Sequence, residues 1–211
     1  MTVEARWYFD FVSPFAYLQW QRIKTFEGCA WDYRPILFAG LLNHFGHLGP
    51  AELANKRIFS YRHVQWRADR AGVAMCFPPT HPFNPLPSLR LCVAAGCTKA
   101  SIDTVFNFIW RDGLAADTAE GIDALSRRLQ ITDVAAALAS PGPRQTLQSN
   151  FQRAIEDDVF GVPSIVIDSN VFWGDDATDM FKDYLKDPAL FDSCTMRRLS
   201  DLPVGAVRKR T

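Results

Sequence analysis

Apolar and polar positions change their period along the chain, and the changes mark its elements. Arg6-Trp7-Tyr8-Phe9-Asp10-Phe11 is short and aromatic-rich, as expected of a strand. It stops at Val12-Ser13-Pro14. From Phe15 the apolar residues Tyr17, Leu18, Trp20, Ile23 and Phe26 recur at helical intervals as far as Gly28. Ser before Pro suits the start of that helix. Serine caps it, and proline lacks only an N–H that would have no partner in the first turn. Trp31 to Phe38 is a second strand candidate, so the chain opens as a βαβ unit.

After Gly40 the β-branched runs thin out and Ala, Leu and Arg dominate. Ala51–Ala71, Leu86–Gly96, Ser101–Asp112, Ala119–Arg128, Ile131–Ala139 and Pro143–Phe160 read as helices. Cys76-Phe77-Pro78-Pro79-Thr80-His81-Pro82-Phe83-Asn84-Pro85 is too rich in proline for regular structure and reads as a loop. Strand character returns at Val162–Asp168. A turn at Ser169-Asn170 and a short strand at Val171–Trp173 complete a hairpin. A last helix, Ala177–Leu185, has Asp175 or Asp176 available as its cap. There is no internal repeat. The order βαβ, helical block, ββα predicts an α/β protein with a thioredoxin-like fold and an all-helical insertion. The boundaries are 1–45 and 155–211 for the thioredoxin-like domain and 46–154 for the insertion.

The 211 residues are 48% hydrophobic and 22% charged, which suits a folded globular chain. Lys and Arg total 23, as do Asp and Glu, so the net charge is zero. That leaves no global basic field for nucleic acid. No apolar run approaches the ~20 residues that span a bilayer. The first residues lack a basic segment followed by an apolar one, so no leader is expected and the expected compartment is the cytoplasm. Arg208-Lys209-Arg210 reads as a solvated basic end. The cysteines, Cys29, Cys76, Cys92, Cys97 and Cys194, are odd in number and none are spaced as CxxC. Free thiols are expected, with neither a disulfide framework nor a metal site.

Three segments carry the chemistry: Phe9-Asp10-Phe11-Val12-Ser13-Pro14-Phe15-Ala16-Tyr17-Leu18, Phe160-Gly161-Val162-Pro163-Ser164 and Phe172-Trp173-Gly174-Asp175-Asp176. Together they resemble the 2-hydroxychromene-2-carboxylate isomerases, relatives of kappa-class glutathione transferases in the DsbA-like branch of the thioredoxin superfamily. The resemblance covers nearly the whole chain. It implies glutathione as cofactor, a small aromatic substrate and a homodimer.

Within that resemblance, Ser13 stands where redox relatives carry the first cysteine of CxxC. Ser13-Pro14-Phe15-Ala16 holds no sulfur, so dithiol exchange is excluded. A hydroxyl at a helix N-terminus instead donates to an external thiolate, which the helix dipole also favours. Ser13 is therefore the expected catalytic residue. Pro163 matches the fold's cis-proline, leaving the Val162 backbone to pair with the cysteinyl part of glutathione. Asp175 and Asp176, after Trp173-Gly174, match the place that holds the γ-glutamyl end. Ala177 departs from the Arg common in relatives and removes one carboxylate partner. His47 stands where relatives carry Asn, and Lys56 offers a cation for a carboxylate. Phe15 joins the glutathione-binding set, and Phe38, Phe83 and Asn84 are expected to wall the substrate pocket.

The implied activity is glutathione-dependent interconversion of 2-hydroxychromene-2-carboxylate and trans-o-hydroxybenzylidenepyruvate, or of a related intermediate of aromatic degradation. The alternatives are a glutathione transferase that conjugates electrophiles, a DsbA-like disulfide oxidoreductase, disfavoured by the missing CxxC, and a non-catalytic scaffold.

Overall fold

The computed structural model describes residues 3–206. The basic end at Arg208-Lys209-Arg210 lies outside the described residues. Four strands form one mixed sheet: β1 (Glu4–Phe9), β2 (Ala30–Pro35), β3 (Ser164–Ile167) and β4 (Asn170–Trp173). Their spatial order is β2-β1-β3-β4, with β1 parallel to β2 and antiparallel to β3, and β3 antiparallel to β4. Helix α1 (Pro14–Ile23) connects the parallel pair. Everything regular between β2 and β3 is helical: α2 (Phe38–Phe45), α3 (Ala54–Ala71), α4 (Leu86–Ala94), α5 (Lys99–Phe106), α6 (Ala119–Arg128), α7 (Val134–Ala139) and α8 (Pro141–Glu156), with a π-helical turn at Asn107–Arg111. Helices α9 (Thr178–Lys186) and α10 (Cys194–Ser200) follow the sheet. This is the α/β thioredoxin-like fold with a helical insertion that the element order predicts. The chain divides into two compact units between Thr178 and Asp179. No helix among the described residues is long and apolar enough to cross a membrane.

The alternation of β1 explains its central place. Trp7 and Phe9 point to one face and stack at 4.3 Å. Trp7 also stacks on Trp20 of α1 at 5.3 Å, and Phe11, just past the strand, meets Phe106 of α5 at 4.8 Å. Tyr8 points to the other face, among Ile36, Leu41, Ala154, Val159, Val162 and Val166, with Phe38, Phe45 and Phe151 packed against them. On that face Asp157 accepts from Tyr8 Oη and Arg6 Nε, each at 2.6 Å. Gln19 of α1, fully buried, ties the first face to the end of β4. It accepts from Trp7 Nε1 at 2.7 Å and donates to the Gly174 carbonyl at 2.9 Å and to Thr178 Oγ1 at 3.0 Å.

Several expected boundaries move. The second strand ends at Pro35, and Phe38 is the first residue of α2, because its N–H bonds to the Asp10 carboxylate instead of a strand neighbour. The expected helix at 51–71 begins at Ala54, after a 3-10 turn at Pro50–Glu52. The expected helix at 101–112 is α5 followed by the π-helical turn. Asp175 and Asp176 stand just ahead of the last helix, α9. Both lie within a 3-10 turn, Asp175–Ala177, whose N-cap position is Gly174 at φ +91°.

Gln19→Ala is expected to orphan the buried Trp7 indole N–H and to leave the Gly174 carbonyl with the Ala177 N–H alone. Each buried group left without a partner costs about 1–3 kcal/mol. Urea unfolding is expected to show a loss of about 3 kcal/mol overall, with the slope against denaturant unchanged. A loss below about 0.5 kcal/mol would show that water replaces Gln19.

Candidate active site

The sheet register gathers the three motif segments. Phe9 pairs with Pro35, Tyr8 with Ser164, and Ser164 with Trp173. The exit of β1, the exit of β2, the entrance of β3 and the exit of β4 therefore share one end of the sheet. Ser13, Leu37-Phe38, Val162-Pro163 and Trp173-Gly174 all lie there.

Ser13 is the N-cap of α1. Its Oγ accepts from Ala16 N–H at 3.2 Å and its carbonyl from Ala16 and Tyr17, with Pro14 in the first turn. The hydroxyl hydrogen has no acceptor among the described residues, and no acidic side chain stands in the helix's first turn. Ser13 as a whole is 8% exposed. A hydroxyl with a spare proton at a helix start, where the amides carry partial positive charge, suits an anion.

Asp10 organises the turn before it. The side chain is fully buried. Its Oδ1 accepts from Val12 N–H at 3.1 Å and its Oδ2 from Phe38 N–H at 2.8 Å. Burial pushes its carboxyl up to about 7, against the amide bonds from Phe38, Val12 and Phe11 that favour the charged form. His81 Nε2 bonds to the Val12 carbonyl at 2.8 Å, and Trp110 Nε1 donates to the Phe11 carbonyl at 2.8 Å. The sequence singles out neither, since His81 sits within a proline-rich loop and Trp110 within a helical pattern.

The Val162–Pro163 bond is cis, as is His81–Pro82. The Pro163 carbonyl accepts from Gly174 N–H at 2.8 Å, whereas the Val162 N–H and C=O have no partner among the described residues. The Trp173 indole lies against Gly161: a Cβ there would stand 2.5 Å from Nε1. Trp173 is half exposed and meets Phe160 at 5.2 Å. Phe15 is half-buried beside His63 of α3, 6.0 Å away.

The remaining expected residues are more scattered. Asp175 is buried and paired with Arg67 at 2.5 Å and Arg22 at 3.7 Å. Burial raises its carboxyl, opposed by Arg67 and Arg22 and assisted by Asp176. Asp176 is exposed. His47, exposed, lies 5.9 Å from the Phe45 ring, and Lys56 is exposed in the first turn of α3. Phe38 packs on the cluster that includes Val162. Phe83 is buried 6.2 Å from the His81 ring, and Asn84 Oδ1 accepts from Leu86 N–H as a turn residue. One cavity of about 270 Å³ is lined by Leu18, Arg22, Trp66, Arg67, Arg70 and Asp175 among others, and one of about 260 Å³ by Leu37, Arg90, Arg144 and Phe151 among others. Neither is lined by Ser13, Val162 or Pro163.

Residues 5–186 match the family described as DSBA-like thioredoxin domain. The 2-hydroxychromene-2-carboxylate isomerase of Pseudomonas putida is 30% identical over 190 residues, covering 83% of this chain and 90% of that protein. A solved structure of a 2-hydroxychromene-2-carboxylate isomerase superposes with a TM-score of 0.75 at 26% identity, covering 95% of this chain and all of that one. At the level of fold alone, the cytosolic disulfide reductase DsbM of Pseudomonas aeruginosa, solved with GSH, gives a TM-score of 0.50 at 12% identity, covering 94% of this chain and all of that one.

Asp175 supplies a test of the site's electrostatics. Its carboxyl titrates above the ordinary value in the fold, so stability linked to it is present at low pH and is lost as pH rises past that value. Arg67→Met removes the nearer counter-charge and raises the carboxyl further. Breaking such a pair is expected to cost about 3 kcal/mol at pH 8, and less at pH 5, because acid favours the uncharged form of a carboxyl raised in this way. Denaturant unfolding at the two values is the check; equal losses at both would remove Asp175 from the account.

Proposed function

We propose, for a chain that belongs to the DSBA-like thioredoxin domain family and within it to the family of 2-hydroxychromene-2-carboxylate isomerases, the reaction for which those relatives are named: isomerisation of 2-hydroxychromene-2-carboxylate or a related ring-cleavage product, with glutathione as cofactor. The observation that carries the reading is Ser13, a helix-capping hydroxyl with an undonated proton in a motif without sulfur.

The residues present fit glutathione at its centre. The Ser13 hydroxyl suits the sulfur, and the unpartnered Val162 N–H and C=O suit a strand-like pairing with the cysteinyl unit. At the γ-glutamyl end, Asp176 has the free carboxylate, because Asp175 is committed to Arg67 and Arg22. Lys56 is the cation for the glycyl carboxylate. Glutathione, when bound, supplies a thiolate that adds to and leaves a conjugated carbon, so that a double bond can rotate.

The chain's own work is to hold that charge. Ser13 O–H donates to the sulfur, while the Ser13 lone pair stays on Ala16 N–H. The α1 amides add partial positive charge, and both effects favour the thiolate over the thiol. Phe15, Phe38 and Trp173 offer apolar surface to the aromatic substrate, with the helical block at 46–154 as the second wall. The protein is a homodimer in this reading, as its relatives' resemblance implies, and acts in the cytoplasm.

Ser13→Ala is expected to keep the fold and lower turnover by roughly 10–100-fold, the worth of one hydrogen bond to a charged group at about 1.5–3 kcal/mol. The assay follows the absorbance of the chromene carboxylate with added glutathione, then titrates free thiol after many turnovers. Thiol is expected to be conserved. Its stoichiometric loss would mark a transferase, and full activity without glutathione would reject the reading.

A further inference from the structure

Val12, the residue before Ser13, is held at both ends of its backbone by side chains. Asp10 Oδ1 accepts its N–H, and His81 Nε2 reaches its carbonyl. A carbonyl only accepts, so His81 carries a proton on Nε2. The other ring nitrogen, Nδ1, lies 2.7 Å from Tyr61 Oη on α3, and the same hydroxyl lies 2.8 Å from the His81 carbonyl. Tyr61 thereby fixes the plane of the imidazole, and the imidazole fixes Val12. The rings of Trp110, Phe77 and Phe83 surround His81 at 5.5, 6.1 and 6.2 Å. Those three rings bond neither nitrogen. The two nitrogens are used instead to join α3 to the turn that carries Ser13, two segments 49 residues apart by number (12 to 61).

We propose that His81 is a positioning residue for Ser13: held by Tyr61, it fixes the Val12 carbonyl while Asp10 fixes the Val12 amide, and together they set the direction of the Ser13 hydroxyl. The inference rests on the reading of Ser13 given above. It adds that the helical block aims the working group of the thioredoxin-like part.

The groups around the clamp define what titrates. Asp10 faces the amides of Phe11, Val12 and Phe38, with no charged side chain contributing. His81 faces the Val12 carbonyl, Tyr61 and the three aromatic rings, and Arg57, one turn before Tyr61, acts on Tyr61. Burial lowers the His81 pKa, so the neutral ring dominates at neutral pH. The single Tyr61 hydroxyl hydrogen is shared between Nδ1 and the His81 carbonyl; protonation would turn Nδ1 into a donor and give that hydrogen to the carbonyl, leaving the bond to Val12 in place.

One experiment reads the clamp without the reaction. Nitrogen NMR of His81 at pH 8 is expected to show the Nε2–H tautomer. In His81→Phe, the Ser13 and Ala16 amides are expected to exchange with solvent roughly tenfold faster, with β3 amides unchanged. An Nδ1–H tautomer, or unchanged exchange at Ser13 and Ala16, overturns the proposal. A second experiment reads coupling to Ser13. His81→Phe is expected to lower kcat about tenfold in the wild-type background, His81→Gln to restore part of it through its amide N–H, and His81→Phe to add less than about twofold in Ser13→Ala. Losses that multiply in the double variant overturn a role exerted through Ser13. If His81→Phe fails to fold, Tyr61→Phe is measured in its place, with the same coupling expected at smaller size. Should Ser13→Ala itself lose nothing, the reading of the reaction falls, and the NMR result still decides the clamp.

Discussion

The turn between β1 and α1 depends on one buried carboxylate. Asp10 has no solvent contact, and burying such a group without partners is costly enough that it would ordinarily neutralise. Here its two oxygens are spread over two segments, Val12 and Phe38, 26 residues apart by number. The first bond tightens the turn that presents Ser13. The second supplies the start of α2, whose cap position is Leu37 and offers no side-chain acceptor. Either bond alone would serve one element; together they fasten two helix starts to the end of the central strand.

The sheet brings the other motifs to the same place. Because β1 pairs antiparallel with β3, and β3 with β4, the entrance of β3 and the exit of β4 fall beside the exit of β1. Two close contacts then join what is separated in sequence. Gly161 has room for no Cβ because the Trp173 indole occupies that space, and the Pro163 carbonyl accepts from Gly174 N–H. Gly174 itself sits at φ +91°, where a side chain would be strained. Phe160-Gly161-Val162-Pro163 and Trp173-Gly174 thus form one surface.

The element order and the Ser13 cap were legible because their causes are local: an aromatic strand, a Ser-Pro start, a Gly-Val-Pro-Ser strand entrance. Helix α2 was not, because the acceptor for its first amide comes from Asp10, and nothing between Ile36 and Gly40 marks a start. The π-helical turn at Asn107–Arg111 continues an apolar pattern that reads as ordinary helix, yet it belongs to the segment from which Trp110 reaches Phe11. His81 was legible only as part of a proline-rich loop, since its partners, Tyr61 and Val12, are set by tertiary packing. Asp175 was read by its neighbours in sequence. Its side chain answers instead to Arg67 and Arg22, charges that no local spacing connects to it.

The same carboxylate that shapes the turn bears on the chemistry proposed for it. An ionised Asp10 accepts two amide bonds and holds the turn best, but it adds negative charge three residues from a hydroxyl meant to stabilise an anion. A protonated Asp10 removes that opposition and gives up part of its acceptor capacity. With its carboxyl pushed up to about 7, the fold stands between these states near neutral pH. Desolvation does this without a counter-ion, since no charged side chain contributes to the shift. A surface carboxylate at the same point would stay ionised throughout this range and oppose that charge at every working pH. Burial of Asp10 therefore serves the turn and the anion site proposed beside it together.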